Sequence, residues 1–123
     1  MVVLTENLRR TAHYLVSEAN GFRSREVGVI ASGSGRVAPG AVLGRITASK
    51  KLVPLAPGAS DGSQTAAAIL FEGCDATSAD VRRTITARDA EVQAAVLVWA
   101  VGVTDNQKTA ALAQLAALGI AAR

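Results

Sequence analysis

The sequence predicts a mainly β protein: a small sandwich or barrel body with one C-terminal α-helix and an extended N-terminal arm. Three observations carry this. From Glu26 onward, short β-prone runs alternate with Gly, Pro, Asp and Ser punctuation at close spacing, the pattern of an all-β domain. Thr104-Asp105-Asn106-Gln107 has the form of a capping box ahead of an apolar stripe, the start signal of a helix. Residues 1–25 lack sustained periodicity and carry polar or charged side chains among only a few apolar positions.

Taken in order, the arm holds one short apolar patch, Tyr14-Leu15-Val16, followed by Phe22. Such a patch is suited to adding an extended strand to a free sheet edge of a partner. Fully extended, about 25 residues span roughly 80 Å, whereas a compact body of this size has a radius of gyration near ~14 Å. The reach of an arm therefore exceeds its own domain, and a domain boundary is expected at 25/26, with 26–123 as the body.

The body begins with a strand over Val27 to Ala31, followed by Gly33-Ser34-Gly35 and Val37. Pro39-Gly40 signals a type II turn, because Pro presets the first central φ and Gly supplies the positive second one. A strand over Val42 to Thr47 leads to a turn at Ala48 to Lys51, then to Leu52 to Leu55, where Pro54 argues for an edge or bulge. After a loop over 57–64, Thr65 to Phe71 reads as a strand, Glu72 to Ala79 as a loop, and Val81 to Arg88 as a strand with Val81, Ile85 and Ala87 on one face. Val96 to Trp99 is the last predicted strand before the helix, whose stripe is Leu112, Leu115 and Leu118 with Gly119 as C-terminal cap. Ile120 to Arg123 is either a final strand or a tail.

Composition narrows the function. The chain of 123 residues fits one domain, and with half of them hydrophobic but only 3% aromatic, its core must be built from Ala, Val, Leu and Ile. Small domains of this kind often gain stability from oligomerisation. The net charge of +3 comes from basic residues spread as the pairs Arg9-Arg10, Lys50-Lys51 and Arg82-Arg83, without interleaved aromatics, so nucleic-acid binding is not implied. One cysteine, Cys74, excludes an intramolecular disulfide and reads as a small half-buried hydrophobe. Charges and His13 interrupt the N-terminal apolar residues, so neither a signal peptide nor a spanning segment is expected.

The candidate chemistries are weak. Gly33-Ser34-Gly35-Arg36-Val37-Ala38 imitates a dinucleotide fingerprint, but Pro39-Gly40 stops the helix it requires, and Lys50-Lys51 stands where a ribose-binding acid belongs. His13 is the only histidine and has no acid placed to orient it, which argues against a nucleophile relay. Two His and Cys residues in total do not make a zinc site. Asp75, Asp80, Asp89 and Glu91 alternate with Ala, Thr and Arg as on a solvated face. No catalytic residue, metal or cofactor is expected. A rival reading is a biotinyl- or lipoyl-like carrier module of an enzyme complex, because Val37 to Gly44 resembles the turn-then-strand entry of those barrels and Lys50-Lys51 sits on a turn. A carrier lysine, however, projects alone from a hairpin tip, and Ala48-Ser49-Lys50-Lys51-Leu52 does not offer that setting.

A stronger resemblance rests on an ordered series: Val37 to Ile46, then Lys50-Lys51-Leu52-Val53-Pro54-Leu55, then Ser60 to Leu70, Ala87-Arg88-Asp89-Ala90-Glu91-Val92, Val96-Leu97-Val98-Trp99, and Leu118-Gly119-Ile120. This series resembles the phage lambda head decoration protein D family from about Ser17 to the C-terminus, and Ser17 to Glu26 resembles the arm of its longer members. The chain departs from the family where Ala68 replaces a usual Gly and where Ala100 follows the Trp in place of Pro.

The resemblance implies a β-tulip-like body, a homotrimer, and docking on the outer surface of an expanded capsid at its three-fold positions, against the major capsid protein. It further implies a protein of the virion, present in the host cytoplasm during assembly, with no nucleic-acid, membrane or small-molecule partner. The capsid-binding residues are then expected in the arm at Tyr14, Leu15, Val16, Phe22, Arg23, Ser24 and Arg25. Trp99 is expected in the core or against a neighbouring subunit.

Overall fold

The computed structural model describes residues 9–123. The body is a closed five-stranded barrel in the order β2-β5-β4-β6-β8. Its strands are β2 (Arg25–Ile30), β4 (Val42–Arg45), β5 (Leu52–Pro54), β6 (Ala66–Leu70) and β8 (Val81–Thr86). A three-stranded sheet joins β1 (Leu15–Glu18), β9 (Ala90–Val92) and β10 (Ile120–Ala122), and a two-stranded ribbon joins β3 (Gly35–Val37) and β7 (Cys74–Ala76). One helix, α1 (Asp105–Ala117), packs against β6 and β10. The predicted small barrel with a C-terminal helix is therefore the observed fold class.

Alternation along β4 and β6 divides the apolar residues into two layers. Leu43, Ala68 and Leu70 point into the barrel with Ile30, Leu52 and Ile85. Their neighbours Val42 and Ile69 point outward, under Leu115 of α1 and Ile120 of β10. Both strands are thus buried on both faces, which is why they read as nearly continuous apolar runs. β2 runs antiparallel to β8 over its whole length, from Arg25 opposite Thr86 to Ile30 opposite Val81. On its other side it meets β5 through a single parallel pair, Ile30 and Leu52. Pro54, which has no amide proton to give, ends β5 opposite Leu43.

Two glycines are fixed by their surroundings. Gly40 has φ +85° in the turn that Ala41 N closes onto Ala38 O at 3.2 Å, the expected Pro-Gly turn. A Cβ there would stand 2.9 Å from the His13 ring, so residues 13–14 pack where this glycine leaves space. On β4, a Cβ at Gly44 would stand 2.2 Å from the Ser63 carbonyl oxygen. Gly33 and Gly35 also have positive φ and lead into β3 rather than a helix, so the imitation fingerprint is a Gly-rich turn.

The helix starts as its capping box requires. Thr104 Oγ1 accepts from Gln107 N at 3.2 Å, and Gln107 Oε1 accepts from Thr104 N at 2.9 Å. Its buried face is Ala111 and Leu115, flanked by Leu112; Leu118, expected in the stripe, is the exposed C-cap residue. Gly119 follows with φ +84°, and Ile120 to Ala122 form a strand parallel to β9.

Three expectations are corrected. Val96 to Trp99 is not a strand: Ala94–Val96 form a 3-10 turn, and Val98 makes only an isolated bridge to Ala41. Both backbone bonds of Val98 go to the Pro-Gly turn region, its N–H to Gly40 O at 2.9 Å and its carbonyl to Val42 N at 3.1 Å, so the run is used as a strap. The loop expected over Glu72 to Ala79 contains β7, paired with β3 through Gly35, Arg36 and Val37.

The change of structure also does not fall at Glu26. Leu15–Glu18 are β1, and Arg25 already belongs to β2, so these residues are built into the body. The expected arm over residues 1–8 lies outside the described residues.

Gly44→Ala is expected to destabilise the protein by about 1–3 kcal/mol, because backbone at Ser63 cannot withdraw as a flexible side chain can. A fall in the urea midpoint at unchanged slope would register it. Deletion of residues 1–25 removes Tyr14 from the core together with β1, and is expected to cost at least ~3 kcal/mol. A truncated chain melting at the full-length temperature would contradict the placement of β1 in the body.

Candidate docking surface

The residues expected in the arm divide into an inward and an outward set. Tyr14 is completely buried and lies in the outer core layer with Val42, Ile69, Val92 and Leu115. Its hydroxyl shares a 2.6 Å hydrogen bond with Thr86 Oγ1 of β8, so a buried phenol and a buried threonine satisfy each other. Burial pushes the phenol up to about 12, and the Thr86 bond opposes that shift. Tyr14 is therefore not available as a contact for a partner. The reason is its neighbours: Ala12 N donates to Phe71 O at 2.9 Å, and Gln93 N donates to Tyr14 O at 2.8 Å. The His13 ring stands edge-on to Tyr14, with Nδ1 2.8 Å from Arg10 O and Nε2 3.3 Å from Val96 O.

Ser24 is also buried. Its hydroxyl donates to Asp89 O at 2.7 Å and accepts from Ala19 N at 2.9 Å, which ties the turn between β1 and β2 to the start of β9. Leu15 is half-buried against the same core layer as Tyr14. Arg25 is held from two sides: its guanidinium donates to both Glu18 oxygens, at 2.5 and 3.1 Å, and lies 4.3 Å from the centre of the Phe71 ring. The Glu18 contact also raises the Arg25 pKa, so the charge is permanent.

The outward set is Val16, Phe22 and Arg23. Phe22 is 79% exposed and Val16 54%. Arg23 reaches Asp89 at 3.6 Å, but both side chains are largely solvated, and such a pair contributes little. Val27, which the sequence reading did not select, is 58% exposed. With Phe22, Arg25, Glu26 and Thr84 it lines a shallow groove of about 370 Å3. The signal was present in the strand alternation: Gly28 and Ile30 face the barrel, which turns Val27 outward.

Around this surface run ion pairs between strand neighbours. Arg88 pairs with Glu26 and donates to Arg23 O at 2.9 Å. Glu91 accepts from Arg123 at 2.8 Å and from Ser17 at 2.9 Å, and these bonds hold its carboxyl below the usual range. Among the described residues β1 pairs with β9 alone and forms the edge of its sheet.

Trp99 is half-buried against the outer core layer and lines a separate cleft with Val37, Ala38, Pro54 and Ala100. Cys74 is half-buried at the barrel layer, where desolvation raises its pKa, as befits a packing residue. Lys51 Nζ is 2.6 Å from Asp80, and Lys50 precedes it at φ +64°, so the β4–β5 turn carries two adjacent lysines, not one isolated attachment point. Among the described residues no group of three or more His, Cys, Asp or Glu is placed to hold a metal ion, and no helix is long and apolar enough to cross a membrane.

Because Tyr14 is the only tyrosine, its ionisation can be read directly. Its folded pKa lies above the unfolded value, so the stability it confers is full below pH 10.0 and is lost as pH rises from there toward about 12. Phenolate absorbance in the native protein is expected to stay low at pH 10.0 and to appear together with unfolding. Tyr14→Phe should flatten this alkaline slope while costing about 1 kcal/mol at neutral pH; a native titration midpoint near the free value would place the phenol in water.

The family model described as bacteriophage lambda head decoration protein D matches residues 3–120 of the chain. No curated protein gives a significant match.

Proposed function

The chain belongs to the bacteriophage lambda head decoration protein D family, and from that premise we propose that it is a cementing protein, binding as a homotrimer at the three-fold positions of an expanded phage capsid. It acts on the outer surface of the virion, is present in the host cytoplasm during assembly, and stabilises the shell against internal DNA pressure. Its partner is the major capsid protein. It is not an enzyme, and it needs no cofactor, nucleic acid or membrane. The single observation that carries this reading is the family match across nearly the whole chain.

The geometry supports a division of labour. The barrel and its helix are a rigid platform, and the capsid-contacting side chains are Val16, Phe22 and Arg23, joined by Val27 on the groove beside them. Leu15, Ser24 and Arg25 act from behind, through the hydrogen bonds and packing that hold β1 and the β1–β2 turn in place. An aromatic and two valines beside an arginine form the mixture that interfaces favour at their centres.

A trimer multiplies a weak contact. Once one subunit is seated, the other two are held at millimolar-scale effective concentration, so that modest docking at each site gives durable decoration without any new contact. Cementing then follows from geometry: three capsid subunits tied to one rigid trimer separate only if several contacts fail together.

The test is to mix purified protein with expanded, undecorated capsids and image the particles. Density at the three-fold positions is expected, with raised thermal resistance of the shell. Phe22→Asp, a change on an exposed side chain, should lower capsid affinity at least ~10-fold and leave the melting temperature of the free protein unchanged. Bare capsids with the unaltered protein would overturn the reading; full affinity of the Phe22 variant would remove this face from it.

A further inference from the structure

A second exposed apolar site lies at the tip of the loop between the Val98 strap and α1. Val103 N closes onto Ala100 O at 3.3 Å, and Gly102 has φ +89°, which makes Ala100-Val101-Gly102-Val103 a tight turn with Val101 at its first central position. The side chain there is fully exposed. Turn tips ordinarily carry polar residues, which solvate well. A β-branched aliphatic residue on this tip has its apolar surface entirely in water.

Beside it is a hole. The cleft lined by Ala38, Pro54, Val98, Trp99 and Ala100 has a volume of about 110 Å3. One water occupies ~30 Å3 of liquid, so this space takes a branched three-carbon side chain. Its lining side chains are apolar but for Arg36, whose guanidinium leans toward Asp75 at 3.7 Å. Ala100 and Pro54 also line a second groove of about 370 Å3, which continues past Val101 to Pro57 and Gln107. Knob, hole and groove form one continuous surface.

Two of the strips of chain that build this surface, residues 52–60 and 92–104, carry no charge, and the third, 36–42, carries Arg36 alone, which faces Asp75. The chain carries a net charge of +3, so two copies repel each other in general. A face that bears a projecting apolar side chain and an apolar socket, and whose one cation already faces Asp75, is where they can meet with the least like-charge repulsion and without burying an unpaired charge.

We propose that this face is the contact between copies of the chain, with Val101 of one copy seated in the Trp99 cleft of the next. A knob and a socket at different points of one face make a head-to-tail contact, which closes into a ring when the rotation allows. The inference rests on the trimeric decoration reading and names the surface that builds the trimer, separate from the Phe22 and Val27 groove. Trp99 would then be sealed by a neighbouring subunit.

Sedimentation of the full chain across a concentration series, with Val101→Asp and Val101→Ser beside it and Phe22→Asp as a control on the other face, tests this. Val101→Asp is expected to weaken self-association at least ~10-fold per contact, with Val101→Ser intermediate. Trp99 emission should shift to the red on dissociation, at an unchanged melting profile of the barrel, while Phe22→Asp assembles normally. Unaltered self-association of Val101→Asp would overturn the proposal, as would a parent chain that stays monomeric at every concentration. Loss of capsid binding by Val101→Asp with normal self-association would assign the knob to the lattice and overturn it equally. Failure of the decoration reading shows separately, as capsids left bare by the parent chain.

Discussion

The wall formed by β4 and β6 has to be apolar on both sides, and most of the architecture follows from that requirement. Leu43 and Leu70 fill the barrel, while Val42 and Ile69, one residue away on the same strands, need a second cover. The chain supplies it from three distant places: Tyr14 ahead of the barrel, Val92 after it, and Leu115 with Ile120 at the far end. With so few aromatics, Tyr14 provides volume in this layer that no aliphatic residue matches. Its hydroxyl meets Thr86 on a barrel strand, so the outer layer is bonded to the barrel as well as packed on it.

How much of this the sequence discloses depends on whether the deciding contact is local. The barrel strands, the Pro39-Gly40 turn, the Thr104 capping box and the Gly119 cap are all set by residues adjacent in sequence, and each was legible. β1 and β9 are short, and β1 is stabilised by pairing Leu15 with Val92, a partner far along the chain. No local periodicity announces such a strand, and this is why Tyr14 reads as part of an arm. The Val96 to Trp99 run fails for a related reason: β propensity is satisfied by one bridge to Ala41, and the rest of the run turns to reach the helix. Of the expected contact residues, Val16, Phe22 and Arg23 are on the surface, while Tyr14 and Ser24 are inside. Type alone could not separate them, since Tyr and Phe have similar apolar bulk and only the partner for the hydroxyl distinguishes their places.

Membership of the decoration protein family gives these surfaces a common purpose. In the proposed cementing role, rigidity between contacts matters more than affinity at any one of them. Ser24 bridging Ala19 and Asp89, Arg25 clamped by Glu18 and stacked on Phe71, and Glu91 shared by Ser17 and Arg123 all stiffen the region around the exposed Phe22. Individually these surface bonds add little to stability. In the proposed role their value lies in fixing direction, because a load applied at the β1–β2 turn would pass into the barrel through bonds that already span it.

The barrel itself is not equally closed all the way round. Between β2 and β8 the ladder is continuous, but β2 meets β5 at one residue pair, reinforced by Ala31 N donating to Leu52 O at 2.9 Å. A cylinder with one thin seam deforms there first, as a split ring does, and the remaining four interfaces move as a curved plate. The Ala31 amide would then exchange with solvent ahead of the β2–β8 amides. Where the shell shifts under load, compliance would come from this seam, with the cores on either side of the β4–β6 wall left intact.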